Sequence, residues 1–184
     1  MTGSTKLVDG HIPQFAAEIY KTYLVCAARI IKAKGGKITA YDGDRIMAVF
    51  EGDYKNSAAA EAALKINFAV PKIINPAMLK VYTSQTFRLR HRVGIDTSPL
   101  FIARIGVRND NDLVWVGRAA NHAAKMTEIA EDNTVFVSEA VFKKLSDNSK
   151  LSKDGTLMWE TRTWPQMGGI PIYRSTWSWP VNLD

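Results

Sequence analysis

Apolar residues recur every three or four positions over the first part of the chain. This spacing is typical of an amphipathic helix that packs one face on a sheet. Gly35 and Gly36 follow the repeat, and glycine in a left-handed conformation commonly ends a helix. The pattern therefore predicts one long helix that ends at this pair. The members of the repeat are Ile12, Phe15, Ala16, Ile19, Tyr20, Tyr23, Leu24, Ala27, Ile30 and Ile31.

A hairpin is predicted directly after this helix. Lys37–Tyr41 and Ile46–Phe50 are β-prone runs, and the Asp-Gly pair at Asp42 between them is a strong turn signal. A tight turn would place Asp44 at the tip, where its carboxylate could hold a divalent metal ion, because Mg²⁺ prefers oxygen ligands. The alternative is that Asp-Gly only makes a good turn and that both acids are solvated.

A strand pattern dominates the middle of the chain, over Thr86–Asp96. Apolar residues and His91 alternate there with Arg88, Arg90 and Arg92, which predicts a half-buried strand. The arginine stripe could bind phosphate, but we favour a solvated outer face, since outward arginines are common. We expect His91, on the apolar side, to be a hydrogen-bonded core or interface histidine.

The other elements alternate between the two types of structure. Together they predict an α/β (α+β) fold in which helices flank an antiparallel-rich sheet. The first is a helix capped by Asn56-Ser57, with a small-residue face at Ala59, Ala62, Ala63, Ile66 and Val70. Two strands follow at Leu100–Gly106 and Leu113–Gly117, joined by the turn Arg108–Asp112, and Gly117-Arg118 then opens a helix. The last elements are a strand at Thr134–Val137, a helix Glu139–Leu145 capped by Ser138, and one or two strands within Trp159–Trp179.

Composition indicates a globular protein without a disulfide framework. The 184 residues are 46% apolar and 23% charged, which suits one domain with a real core. The only cysteine, Cys26, lies in the helical repeat, so we expect a buried thiol. No apolar run is long enough to span a membrane, and we expect the cytoplasm. The net charge of +6 favours anionic partners such as nucleotides.

Two separated stretches resemble the catalytic domain of class III nucleotidyl cyclases, which is ferredoxin-like. The family pattern Gly-Gly, Gly-Asp, Met-Ala-Val-Phe matches residues 35–36, 43–44 and 47–50. The later pattern Arg-x-Gly-Ile, then Gly-x-x-x-Asn-x-Ala-x-Arg, matches residues 92–95 and 117–125. The resemblance covers nearly the whole chain, which we interpret as a single catalytic domain over residues 1–184.

The resemblance assigns roles to three residues. Asp44 takes the position of the second metal-binding aspartate, for Mg²⁺ or Mn²⁺, and Asn121 that of the asparagine that orients the ribose. Lys125 stands where the family has an arginine that neutralises the phosphate in the transition state. Asn121 and Lys125 are four residues apart, so they share one helical face. In this family the metal and the asparagine meet only across subunits, which implies a homodimer with its sites at the interface.

The chain departs from the family at the first metal aspartate. Gly3-Ser4-Thr5 matches the element that follows this aspartate, which is therefore expected just before Met1, together with the first strand. Either the first strand precedes this sequence in a longer protein, or a catalytic carboxylate has been lost. We favour the first interpretation.

A second departure concerns the base. The family positions that read a purine are Ala40 and Val114, and neither side chain can donate or accept a hydrogen bond. Thr39 and Tyr41 could contact a smaller ring, and Arg45 lies in a Gly-Asp-Arg run. These features resemble the pyrimidine cyclases of the Pycsar anti-phage system, which make cyclic UMP or cyclic CMP from UTP or CTP.

Three alternatives remain open. One is a degenerate cyclase domain that binds a nucleotide or a partner without turnover, and another is a purine cyclase acting on ATP or GTP. The third is an RNA-binding ferredoxin-like domain, which we disfavour because the aromatic signature on a strand is missing. We therefore expect no nucleic-acid partner and no membrane partner.

Overall fold

Helices and strands alternate along the chain in the computed structural model, which describes residues 1–181. The helices are α1 (Ser4–Gly10), α2 (Pro13–Ala33), α3 (Lys55–Ala69), α4 (Asn75–Val81), α5 (Arg118–Met126), α6 (Glu139–Lys143) and α7 (Asp147–Lys150). The strands are β1 (Lys37–Asp42), β2 (Arg45–Val49), β3 (Arg92–Ile95), β4 (Phe101–Val107), β5 (Asp110–Val116), β6 (Thr134–Ser138), β7 (Glu160–Trp164) and β8 (Ile170–Ser175).

Antiparallel pairing dominates the strands, as predicted. Strands β1 and β2 form one hairpin, and β4 and β5 form another. The remaining strands form a sheet in the order β3-β6-β8-β7, in which only the pairing of β3 with β6 is parallel among the described strands. The predicted fold class, an antiparallel-rich sheet flanked by helices, is therefore confirmed.

The long helix α2 organises the larger hydrophobic core. Phe15, Ile19 and Tyr23 on its apolar face are buried, while Ile12 precedes the helix and is exposed. The helix ends where Gly35 takes a φ of 80°, which a residue with a side chain rarely adopts. Both the helix and its glycine stop were correctly predicted.

Helix α3 begins one residue before the predicted cap. Asn56 and Ser57 lie inside the helix and are buried, and the Ser57 hydroxyl accepts a hydrogen bond of 2.8 Å from the Ser146 amide. The predicted cap is therefore wrong, because a segment distant in sequence uses this hydroxyl. The predicted small-residue face is buried, and a π-helical turn at Val70–Ile74 continues the chain into α4.

The predicted strand Thr86–Asp96 is shorter in the structure. Only Arg92–Ile95 is a strand, because its pairing with β6 starts at Arg92 opposite Thr134. Arg88 and Arg90 are exposed as expected, whereas Arg92 is mostly buried and lies 2.9 Å from an Asp132 carboxylate oxygen. The predicted solvated outer face is therefore confirmed for Arg88 and Arg90 but not for Arg92.

The later elements follow the prediction with small shifts. The β4–β5 turn is shorter than expected, since β5 already begins at Asp110. The Ser138 hydroxyl accepts a hydrogen bond from the Val141 amide at 3.3 Å, which confirms the cap of α6. Strands β7 and β8 confirm the predicted closing strands.

Candidate active site

The tip of the first hairpin carries Asp44, as predicted. The two-residue turn consists of Gly43, with a φ of 55°, and Asp44 itself. The Asp44 side chain is 17% exposed, and its Oδ2 atom lies 3.2 Å from the Met1 nitrogen. Beneath it, burial raises the pKa of the Tyr23 hydroxyl, and the Asp44 charge raises it further. Asp44 is thus a half-shielded carboxylate, while the neighbouring Asp42 is exposed.

A cavity of about 1020 Å³ separates β2 from β3, and we call it the hairpin cavity. Asp42 and Asp44 line it at the hairpin tip, and Asp96 lines it at the end of β3. Carboxylate oxygens that face a roomy cavity suit a hard divalent cation with water and phosphate ligands. Among residues 1–181, however, no three His, Cys, Asp or Glu side chains cluster as a metal site.

A second concavity, of about 410 Å³, lies along α5, and we call it the α5 cavity. Asn121 and Lys125 both line it, together with Arg118, His122, Ala124 and Met167. The structure thus brings Asn121 and Lys125 to one surface, as their spacing predicted. It does not bring them to Asp44, which lines the hairpin cavity instead.

The backbone of α5 approaches β3 very closely at Gly94. A Cβ atom added to Gly94 would lie 2.1 Å from the Ala123 carbonyl oxygen and 2.9 Å from the Met126 Cβ. No such contact is possible without movement, so only glycine allows this packing. The close approach sets the position of the helix that carries Asn121 and Lys125.

The predicted base-contacting residues lie on two separate hairpins. Thr39 is the extra residue of a bulge in β1, and its hydroxyl donates to the Met47 carbonyl oxygen at 3.4 Å. Ala40 is exposed and lines the hairpin cavity, and Tyr41 is exposed as well. Val114 is exposed on β5. Within one chain, therefore, these residues do not form a single pocket.

Arg45 and His91 have contrasting surroundings. Arg45 is exposed at the start of β2 and lines the hairpin cavity. His91 is fully buried, and its Nε2 atom lies 2.7 Å from the Asn67 side-chain oxygen. Burial lowers the pKa of His91 to about 4, because the charged imidazolium is disfavoured there. The predicted core position is confirmed, but only Nε2 is hydrogen-bonded, since the buried Nδ1 atom has no partner among the described residues.

Sequence reasoning assigned no role to Asp96. Its side chain is fully buried, and its Oδ2 atom lies 3.2 Å from His122 Nδ1 and 3.5 Å from Arg118 Nε. An acid at the end of a predicted strand, ahead of a helix that carries His and Arg, was the available signal. Only the packing of α5 on β3 shows that these groups meet.

Comparison with known proteins gives relatives over almost the full length. A uridylate cyclase from Xanthomonas perforans is 54% identical over 182 residues, which cover 99% of this chain and 78% of that protein. A uridylate cyclase from Burkholderia cepacia is 54% identical over 181 residues, which cover 98% of this chain and 77% of that protein.

No helix among residues 1–181 is both long and apolar enough to cross a membrane.

Comparison of folds agrees with comparison of sequences. The crystal structure of the guanylyl cyclase Cya2 superposes with a TM-score of 0.76 at 18% identity, covering 95% of this chain and 86% of that one. The family described as the adenylate and guanylate cyclase catalytic domain matches residues 1–166. The predicted resemblance is thereby confirmed, and the chain belongs to the adenylate and guanylate cyclase catalytic domain family.

Proposed function

We propose that the protein converts UTP into 3′,5′-cyclic UMP and pyrophosphate. The observation that carries this proposal is the 54% identity to proteins named uridylate cyclase along nearly the whole chain. In the reaction the ribose 3′ oxygen attacks the α-phosphorus and gives up its proton. The bond from the α-phosphorus to the oxygen that bridges it to the β-phosphorus breaks, and pyrophosphate leaves.

We assign Asn121 and Lys125 a joint role on one nucleotide. They line the same concavity on α5, and both are exposed to an incoming ligand. Asn121 would orient the ribose, and Lys125 would neutralise charge on the phosphate in the transition state. Such catalysis depends on positioning and charge neutralisation. Lysine keeps the charge of arginine but has no bidentate fork.

We propose that Mg²⁺ or Mn²⁺ binds at Asp44. The half-shielded carboxylate lines the roomy hairpin cavity with Asp42 beside it, which fits an ion that takes one or two protein carboxylates and keeps water and phosphate ligands. When bound, the ion would neutralise charge on the triphosphate. The single-domain organisation over residues 1–184 stays a prediction.

The lack of purine-reading groups supports a pyrimidine substrate. Ala40 and Val114 have no polar side-chain atoms, and the Thr39 hydroxyl is already engaged with the Met47 carbonyl. Tyr41, by contrast, presents an exposed ring and hydroxyl beside Ala40. We therefore favour UTP over ATP and GTP, with CTP as the nearest competitor.

Turnover of the four nucleoside triphosphates with Mn²⁺ tests the activity. We expect cyclic UMP, detected by mass spectrometry, in excess over every other cyclic nucleotide. Cyclic AMP or cyclic GMP as the main product would contradict the pyrimidine assignment. If nucleotides bind without any product, the second candidate, a domain that binds without turnover, would replace the enzyme. Lysine at position 125, where the family has arginine, is the observation that favours that second candidate.

We also propose a two-fold symmetric homodimer with its sites at the interface. Asp44 and the Asn121–Lys125 pair line different cavities of one chain, and a second copy could bring them together. Mixing inactive Asp44→Ala with inactive Asn121→Ala subunits should restore part of the activity, since each mixed dimer has one intact site. If the subunits exchange and no activity returns, the sites lie within one chain.

The biological role stays a prediction from the resemblance. A cytoplasmic enzyme of this kind would release its cyclic nucleotide as an alarm signal during phage infection. Plaque counts on cells that express the wild-type protein or the Asp44→Ala variant, with their downstream partner genes, test this role. Equal plaque counts for both proteins would argue against it.

A further inference from the structure

Two cations, not one, line the α5 cavity. Lys125 has the role implied by the family, whereas Arg118 occupies a position to which that resemblance gives no role. Its side chain is 55% exposed, and its Nη2 atom donates to the Thr97 carbonyl oxygen at 2.9 Å. The Thr97 carbonyl and the Asp96 carboxylate face two of the five guanidinium donors, which leaves the other three for a ligand.

The other arginine near the site is not available in this way. Arg92 is mostly buried, and both its Nε and Nη2 atoms lie within 3.1 Å of the same Asp132 carboxylate oxygen. Asp132 also pairs with Arg90, whose Nη1 atom lies 2.7 Å from its other oxygen, and Arg92 lines the hairpin cavity rather than the α5 cavity. Arg118 is therefore the better candidate for a second anion-binding group.

A buried carboxylate lies behind Arg118. The Asp96 side chain has no exposed surface, and within the described residues neither of its oxygens has a hydrogen bond of good geometry. The nitrogen atoms beside it are Arg118 Nε at 3.5 Å and His122 Nδ1 at 3.2 Å. An isolated buried charge is unfavourable, so this carboxylate depends on these two side chains of α5.

The loop that carries Asp96 is joined to the first turn of α5 by further contacts. The Ala119 amide donates to the Ser98 hydroxyl at 3.0 Å, and Arg118 reaches the Thr97 carbonyl. His122 packs edge-to-face on buried Trp164, with ring centroids 5.5 Å apart. The loop and the helix thus hold Arg118 on one side, and the same residue lines the α5 cavity.

We infer that Arg118 is a second binding residue for the triphosphate and that Asp96 is its positioning residue. This inference rests on the proposed function, because it assigns the α5 cavity to the phosphates of the substrate. The negative charge of Asp96 would hold Arg118 in place beside Lys125, so that both cations meet the same phosphate chain. Arginine suits this task because its planar fork matches phosphate oxygens.

Binding of inorganic tripolyphosphate with Mg²⁺, measured by calorimetry, tests the inference without requiring turnover. We expect Arg118→Gln to weaken binding about tenfold, as loss of one charge-assisted contact does. Arg118→Lys should lose less, about threefold, because it keeps the charge. Arg118→Gln removes the charge that faces buried Asp96, so urea unfolding is measured on it as well, whereas Arg118→Lys keeps that charge and should retain the fold.

The Asp96→Asn variant tests whether Asp96 positions Arg118 or acts on the anion only through its negative charge. Removal of a negative charge near an anion site should by itself tighten tripolyphosphate binding. If Asp96 positions Arg118, binding should instead weaken about threefold to tenfold, and this loss should vanish in the Arg118→Gln background. Asp9→Asn, at an exposed acid of α1 that lines neither cavity, is the matched charge control and should leave binding unchanged or slightly tighter.

Turnover of UTP distinguishes failure of the inference from failure of the function. We expect Asp96→Asn and Arg118→Gln to raise KM with little change in kcat, because phosphate contacts act in the ground state as well. Tripolyphosphate binding that depends on Arg118, in a protein that forms no cyclic nucleotide, would overturn only the proposed function. Cyclic UMP formation with KM and tripolyphosphate affinity unaffected by Arg118→Gln would overturn the inference, as would tighter binding by Asp96→Asn.

Discussion

Gly94→Ala should displace helix α5 and thereby test how the site is positioned. The added Cβ would lie 2.1 Å from the Ala123 carbonyl oxygen, whereas carbon–oxygen contacts rarely fall below about 3.3 Å. Helix α5 would therefore have to move by on the order of 1 Å. Overpacking of this kind costs about 1–3 kcal/mol, so we expect the free energy of unfolding in urea to fall by that amount.

The same movement should reduce catalysis. Asn121 and Lys125 move with α5, and a displacement of about 1 Å at a catalytic group can cost about 100-fold in rate. We expect turnover of UTP to fall by about 10- to 100-fold in protein that is still folded at the assay temperature. Gly10→Ala is the matched control, because a Cβ there meets no atom within 4 Å. If Gly94→Ala has wild-type stability and turnover, the close approach does not position the helix and the reasoning is refuted.

Three further results are expected from single substitutions. Asp44→Asn should weaken Mn²⁺ binding in calorimetry and abolish turnover. Asp42→Asn, at an exposed side chain, should retain most of the Mn²⁺ affinity and most of the turnover. Equal losses of affinity and turnover in the two variants would contradict the metal assignment. Asn121→Ala and Lys125→Ala should each lower kcat by about 10²–10³-fold without unfolding the protein, and Lys125→Arg should keep or raise it, as measured by steady-state kinetics. For His91, the folded pKa of about 4 lies below the unfolded value of about 6.5, so its contribution to stability is present above pH 6.5 and is lost as the pH falls towards 4. Between pH 7 and pH 5 the wild type should lose about 2 kcal/mol more in urea unfolding than His91→Gln, and equal slopes would refute the buried neutral imidazole.

The sequence by itself determined the elements whose causes are local. The three- to four-residue repeat predicted α2, since that spacing places apolar side chains on one helical face. Asp42-Gly43 predicted the hairpin turn, and Ser138 predicted the start of α6, because turns and caps depend on neighbouring residues. The order of the Gly-Asp and Asn-x-Ala motifs was enough to identify the family to which the chain belongs.

Only the tertiary structure decided how distant segments meet. Ser57 lies inside α3, which begins at Lys55, and its hydroxyl instead accepts a hydrogen bond from Ser146, 89 residues away. The strand begins at Arg92 rather than Thr86 because pairing with β6 begins there. Asp96 is likewise buried where α5 packs across the end of β3, and no local sequence pattern predicts that contact. Side-chain spacing along one element follows from the chain itself, whereas burial, ion pairing and cavities depend on which elements pack together.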